Sequence, residues 1–276
     1  MHFKSVQGHK VPEIGLGTYQ LFGRECYKTV RAALDIGYTH IDTAQMYKNE
    51  KEVGEAIRRS GKSREDLFIT TKIWHTNLDH DDVLQSVEDS LREFDTPYVD
   101  LLLIHWPNKN FSLEKTFEAM LILRDQGKAY NIGVSNFTLP LMKEAIEEIR
   151  VPLFCNQIEF HPFLSQFDML DYSYDNDFLV MAYSPLAKGK VMENETLQEI
   201  GRAHGKSAAQ VALRWLIEQE NVVAIPKASS EDHLRENLDI FDFELTDEQF
   251  EQIDNIEKSH RLVNPTFAPV WDKARS

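Results

Sequence analysis

The sequence predicts an α/β fold in which eight parallel strands, each followed by a helix, close into a (β/α)8 TIM barrel. Three observations carry that reading. Short apolar runs at 14–18, 39–42, 67–71, 99–104, 131–134, 154–158, 178–182 and 222–225 alternate with longer stretches of helical period. Most of these runs are nearly continuous in apolar residues, as parallel strands buried on both faces must be. Finally, eight strand–helix units in 276 residues match the size of one such barrel.

The elements follow in order. Residues 3–12, with Gln7-Gly8 at their centre, read as a β-hairpin ahead of the barrel, placed to plug its N-terminal end. Tyr27, Val30 and Leu34 mark one face of the first helix, and Gly37 stands where its C-terminal glycine belongs. Val83, Val87, Leu91 and Phe94 mark another helix. Asp79, Asp81 and Asp82 lie near its start, where negative charge suits the helix dipole. A third carries Phe117, Met120 and Leu121 and closes at Gly127. Residues 207–217 form a longer helix before the eighth strand, and Thr246-Asp247-Glu248 opens a last one bearing Phe250, Ile253 and Ile256. Beyond His260 the chain reads as a loop-like tail able to reach the rim of the active face. No linker, low-complexity tract or internal repeat divides the chain, so residues 1–276 are expected to form a single domain.

Composition narrows the function classes. Hydrophobic content of 42% and charged content of 27% are those of an ordinary globular protein. A net charge of −15 repels phosphate backbones and argues against nucleic acid as a partner. The two cysteines, Cys26 and Cys155, make neither a redox pair nor zinc spacing, so no metal is expected. The N-terminus has no apolar leader and no run reaches membrane-span length, which points to the cytoplasm and away from membranes.

Several catalytic motifs fail on inspection. Gly15 and Gly17 begin a dinucleotide fingerprint, but Gln20 stands at its third glycine, which disfavours a Rossmann fold. Gly133-Val134-Ser135-Asn136-Phe137 misses the last glycine of a nucleophile elbow. Asp171, Ser173 and Asp175 lack the glycine and glutamate of a calcium loop.

What remains is a set of polar residues at strand ends. Asp42, Lys72, His105 and Lys227 each close an apolar run, and in a barrel those ends open onto the one face where chemistry is placed. Reduction of a carbonyl leaves an alkoxide that needs a proton. Tyr47 is a suitable acid once its pKa of about 10 is lowered by a nearby ammonium, a role open to Lys72. Asp42 would hold Lys72, and His105 would orient the carbonyl oxygen. Each residue also has a plain structural reading: a helix cap for Asp42, a loop aromatic for Tyr47, an exposed lysine for Lys72 and a backbone-bonded ring for His105.

Taken together, the chain resembles an aldo-keto reductase over nearly its whole length. The residues that carry the resemblance are Gly15-Leu16-Gly17-Thr18, His40-Ile41-Asp42-Thr43-Ala44, Tyr47, Asn49-Glu50, Val53-Gly54, Thr71-Lys72, Val99-Asp100-Leu101-Leu102, Ile104-His105-Trp106-Pro107, Gly133-Val134-Ser135-Asn136-Phe137, Asn156-Gln157, Tyr183-Ser184-Pro185-Leu186 and Ile225-Pro226-Lys227. The subgroup is similar to prokaryotic 2,5-diketo-gluconate and methylglyoxal reductases. The resemblance implies NAD(P)H-dependent reduction of small aldehydes and ketones with Tyr47 as general acid. It implies that Ser135, Asn136 and Gln157 bind the nicotinamide carboxamide, that Tyr183 stacks on the ring, and that Asp42 touches the ribose. Thr18, Ser184 and Leu186 fall at further cofactor positions, with residues 187–190 as a flap. A monomer is the implied state.

Two departures bear on specificity. Around the expected 2′-phosphate site Lys227 is kept, but Ala228 takes the serine slot, with Ser229 following, and His233 takes the arginine slot. Glu236 and Asn237 match the adenine contacts. A histidine grips phosphate less firmly than a bidentate guanidinium, so NADP(H) is expected to be preferred with NAD(H) possible. Tyr19 replaces a common tryptophan at the pocket wall, where Trp74 and Trp106 remain and Phe22 and Phe111 lie nearby. The rival reading is a cofactor-sensing barrel resembling potassium-channel β-subunits.

Overall fold

Every predicted run becomes a strand, and all lie parallel. The computed structural model describes residues 2–272. The strands are β3 (Leu16–Gly17), β4 (His40–Asp42), β5 (Phe68–Ile73), β6 (Val99–Ile104), β7 (Ala129–Ser135), β8 (Cys155–Glu159), β9 (Leu179–Tyr183) and β10 (Val222–Ala224). Each pairs in parallel with the next. Closure joins the first strand to the last. Ile14 bridges Ala224, the Gly15 N–H donates to the Ala224 carbonyl at 2.9 Å, and the Gly17 N–H donates to the Pro226 carbonyl at 3.1 Å. A methyl group on Gly17 would lie 2.7 Å from the Ile225 carbonyl oxygen, so this seam requires glycine.

Alternation along the strands sorts the core into two layers. Outward side chains such as Ile41, Ile69, Leu102, Val134 and Val180 pack against the helices. Inward ones, among them Phe68, Leu101, Leu103, Cys155, Leu179 and Val223, fill the barrel. The hairpin of β1 (Phe3–Val6) and β2 (His9–Pro12) turns at Gln7 and Gly8, whose φ values of 48° and 78° are those of a tight hairpin turn. Val6 and Val11 are buried in the same cluster as the interior strand residues, so the hairpin does plug the barrel.

The helices are α1 (Gly23–Ile36), α2 (Glu50–Ser60), α3 (His80–Phe94), α4 (Leu113–Asp125), α5 (Leu139–Lys143), α6 (Phe167–Asp175), α7 (Glu195–His204), α8 (Ala208–Glu218), α9 (Glu231–Leu238) and α10 (Asp247–Asp254). Five of them, α1, α3, α4, α8 and α10, carry the faces marked from sequence. The others are polar or short. In α2 only Val53, Ala56 and Ile57 are apolar, and Gly54 looks like a breaker. It is instead a contact point, because a Cβ there would sit 2.3 Å from the Phe94 carbonyl oxygen at the end of α3. α5 continues into a π-helical turn at 144–148. Among the described residues no helix is long and apolar enough to cross a membrane, and no cluster of three metal-ligating side chains occurs.

Candidate active site

The strand ends bring the predicted chemical residues to one cavity. β4 ends on Asp42 and β5 carries Lys72, both fully enclosed. The Lys72 ammonium donates to Asp42 Oδ1 at 2.6 Å and to the Thr43 carbonyl at 2.7 Å. Burial holds Asp42 above and Lys72 below their ordinary pKa values, and their mutual attraction opposes both shifts. Gln157 on β8 completes the carboxylate's shell, its Nε2 donating to Asp42 Oδ2 at 2.7 Å.

Tyr47 ends a single 3-10 turn, Gln45–Tyr47, that follows β4. Lys48 then takes a left-handed φ of 53°, and Asn49 anchors the loop. The Asn49 amide donates to the carbonyls of Thr18 (3.1 Å) and Leu21 (3.0 Å), and its oxygen accepts from the Thr43 hydroxyl at 2.5 Å. Three loops are thereby tied together behind Tyr47. The Lys72 ammonium lies 5.1 Å from the centre of the Tyr47 ring, and the His105 ring stands edge-on to it at 5.6 Å.

The electrostatics differ from the sequence expectation at one point. Burial, then the Asp42 carboxylate, hold the Tyr47 phenol well above its ordinary pKa rather than below it. The Lys72 ammonium, 5.1 Å from the ring centre, does not reverse that shift, because burial and the Asp42 carboxylate outweigh it. The phenol therefore stays protonated, which is the state a proton donor needs. Burial, then Lys72 and His75, keep the His105 pKa well below its ordinary value, so its ring is neutral.

Around this centre lies a cavity of about 820 Å³. Asp42, Tyr47, His105, Ser135, Asn136, Gln157, Tyr183, Ser184, Leu186 and Lys227 line it, as do Tyr19, Trp74 and Trp106. The amide groups form a chain: Tyr183 OH donates to Asn136 Oδ1 (2.7 Å), Asn136 Nδ2 to the His105 carbonyl (2.9 Å), and Ser135 Oγ to the Gln157 carbonyl (2.8 Å). Ser184, Ala187, Lys188 and Gly189 all have positive φ, which turns the chain sharply at the cavity edge.

Not every predicted residue reaches the cavity. Lys72 stands behind Asp42. Thr18 is buried beside it, its hydroxyl donating to the Asp42 carbonyl at 3.0 Å. Ser229 and His233 are exposed at the start of α9, Glu236 is half-buried and Asn237 buried, and none of the four lines the cavity. Arg235 pairs with Glu231 at 3.8 Å. Phe22 and Phe111 are also absent from the wall; Phe267 of the tail stands there instead. The tail reaches the cavity rim as its sequence position suggested, with Leu262, Val263, Asn264, Pro265 and Phe267 on the wall. Glu159 and Met46 had no place in the sequence reading; Glu159 carried a signal, since it follows Gln157 by two positions on the same strand face.

A sequence profile described as the Aldo/keto reductase family matches residues 13–258. The chain belongs to that family. Among aldo/keto reductases it is 42% identical to glyoxal reductase of Bacillus subtilis over 256 residues, 92% of each chain. It is 38% identical to methylglyoxal reductase DkgB of Salmonella typhimurium over 266 residues, 95% of this chain and 99% of the relative. A crystal structure assigned, provisionally, to a 2,5-diketo-D-gluconic acid reductase B superimposes with a TM-score of 0.96 at 42% identity, covering 99% of this chain and 98% of the other.

Proposed function

We propose that this barrel acts as a single catalytic domain that reduces small aldehydes and ketones with a nicotinamide cofactor, NADP(H) in preference to NAD(H). The observation that carries the reading is convergence: Tyr47, His105 and the Asp42–Lys72 pair meet at one wall of a cavity large enough for cofactor and substrate. A complete proton-donating set also favours an enzyme over a cofactor-sensing barrel.

The residues present fit a nicotinamide. Ser135, Asn136 and Gln157 offer the amide and hydroxyl groups a carboxamide needs, and the Tyr183 ring offers a flat face. Lys227 lines the cavity, and Lys188 offers a second cation there. Lys227 with Ser229 and His233 would hold the 2′-phosphate, and Glu236 and Asn237 the adenine end. Bound in reduced form, the cofactor supplies hydride to the carbonyl carbon.

The chain's own residues do the rest. The neutral His105 donates a hydrogen bond to the carbonyl oxygen and fixes its direction. Tyr47 gives its hydroxyl proton to that oxygen as negative charge develops, so the product is an alcohol and a phenolate. The Lys72 ammonium beside the ring stabilises the phenolate until solvent returns the proton. Tyr19, Trp74, Trp106 and Phe267 exclude water from one side and accept small apolar groups.

The test is NADPH consumption with methylglyoxal or a nitrobenzaldehyde, with Tyr47→Phe as the control. That change should lower kcat by about two orders of magnitude or more while cofactor binding persists. Turnover like the wild type in the variant would remove Tyr47 from the role of acid.

A further inference from the structure

Glu159 is a buried carboxylate that the reaction does not use. It ends β8, two residues beyond Gln157, and is 0% exposed. Its oxygens are occupied by the C-terminal tail. Oε1 accepts from the Leu262 N–H at 2.6 Å, and Oε2 accepts from the Val263 N–H at 2.9 Å. A third donor is His161. The Phe163 N–H donates to His161 Nδ1 at 3.3 Å, so Nε2 carries a proton and gives it to Glu159 Oε1 at 3.0 Å. The tail segment held this way is part of the cavity. Leu262, Val263, Asn264, Pro265 and Phe267 all line it. Phe267 stacks on His75 at 4.2 Å and meets Trp74 and Trp106 edge-on at 5.7 and 5.6 Å. Trp74 in turn stands 5.3 Å from His105.

We propose that Glu159 is a positioning residue that latches the tail across the cavity mouth and thereby sets which aldehydes the site accepts. This rests on the reductase reading above. One strand end performs two tasks: Gln157 braces the Asp42 carboxylate, and Glu159 braces the wall facing the substrate. The residue type matters. Three N–H donors converge on two oxygens, and only a carboxylate accepts at both positions. A glutamine of the same size would turn an NH2 group toward one of those donors and release that contact.

Glu159→Gln should lower the ratio of kcat/KM for 4-nitrobenzaldehyde to that for glyoxal by about tenfold, through KM rather than kcat, because the larger substrate needs the Phe267 wall. Phe267→Ala should produce the same loss of ratio. The double variant should lose little beyond either single change, since both remove one wall. An unchanged ratio in folded Glu159→Gln, or effects of the two changes that multiply, would overturn the proposal. Hydrogen exchange of the wild-type protein tests it without any variant. The Leu262 and Val263 amides should be protected as strongly as those of β8, and exchange at the rate of an open loop would overturn the latch. That measurement does not depend on turnover. An inactive wild type with protected amides would sink the reductase reading alone.

Discussion

Replacing Lys72 by methionine should separate the structural from the chemical role of the buried ion pair. Lys72 is 0% and Asp42 2% exposed, and their bond is 2.6 Å long. Losing one partner of such a pair costs about 3–5 kcal/mol, because the other charge stays buried. Here the low end applies. Gln157 still donates to Asp42 at 2.7 Å, and Asp42 lines the cavity rather than the packed core. A loss of about 3 kcal/mol should lower Tm by about 6–12 °C for a chain of this size. Asp42→Asn/Lys72→Met removes both charges, leaving an amide to meet Gln157. Its cost should fall short of the summed single costs by at least about 2 kcal/mol. Urea unfolding followed by tryptophan fluorescence at neutral pH measures all four proteins. Activity should not recover with stability, because no cation then stands beside the Tyr47 ring. If Lys72→Met matched the wild type within about 0.5 kcal/mol and the two changes were additive, the buried ion pair would not exist. If the double variant turned over normally, the pair would have no part in proton donation.

Three further outcomes are expected. His40 is fully buried in the barrel beside Thr70, and burial lowers its pKa to about 3. Its stabilising contribution is complete above the unfolded value of about 6.5 and declines by about 1.4 kcal/mol per pH unit as acid is added. His40→Gln should flatten the fall of Tm between neutral and mildly acidic pH, and an unchanged slope would refute this. Because Tyr47 is held high and His105 low, kcat/KM for reduction should stay level from about pH 6 to 9, and a limb near the ordinary histidine pKa would show that His105 titrates there. His233→Arg should raise the NADPH over NADH preference roughly tenfold by adding a permanent charge with paired donors, measured as the ratio of catalytic efficiencies; no change would place the phosphate elsewhere.

Much of the fold was legible because parallel barrel strands are apolar on both faces and end in polar residues. The runs at 99–104 and 178–182 needed no other signal. Helices whose buried stripe is narrow were not legible. α2 shows too few apolar residues, and its Gly54 serves a contact with α3 that local sequence does not display. At the site, Asp42, Tyr47, His105, Gln157 and Tyr183 all line the cavity as expected, with Lys72 directly behind. Ser229, His233, Glu236 and Asn237 lie outside it, on and before a helix whose reach depends on where the barrel seam puts it.

By itself the sequence determined the strand order, the residue types at each strand end and the family they resemble, because periodicity and residue chemistry are local properties. Only the tertiary structure decided how those groups share charge. It buried the Lys72–Asp42 pair beside Tyr47, left the phenol protonated, and brought Glu159 onto the backbone of Leu262 and Val263 about a hundred residues away in the chain. Burial and long-range contact set those outcomes, and both arise only when the barrel closes and the tail crosses its mouth.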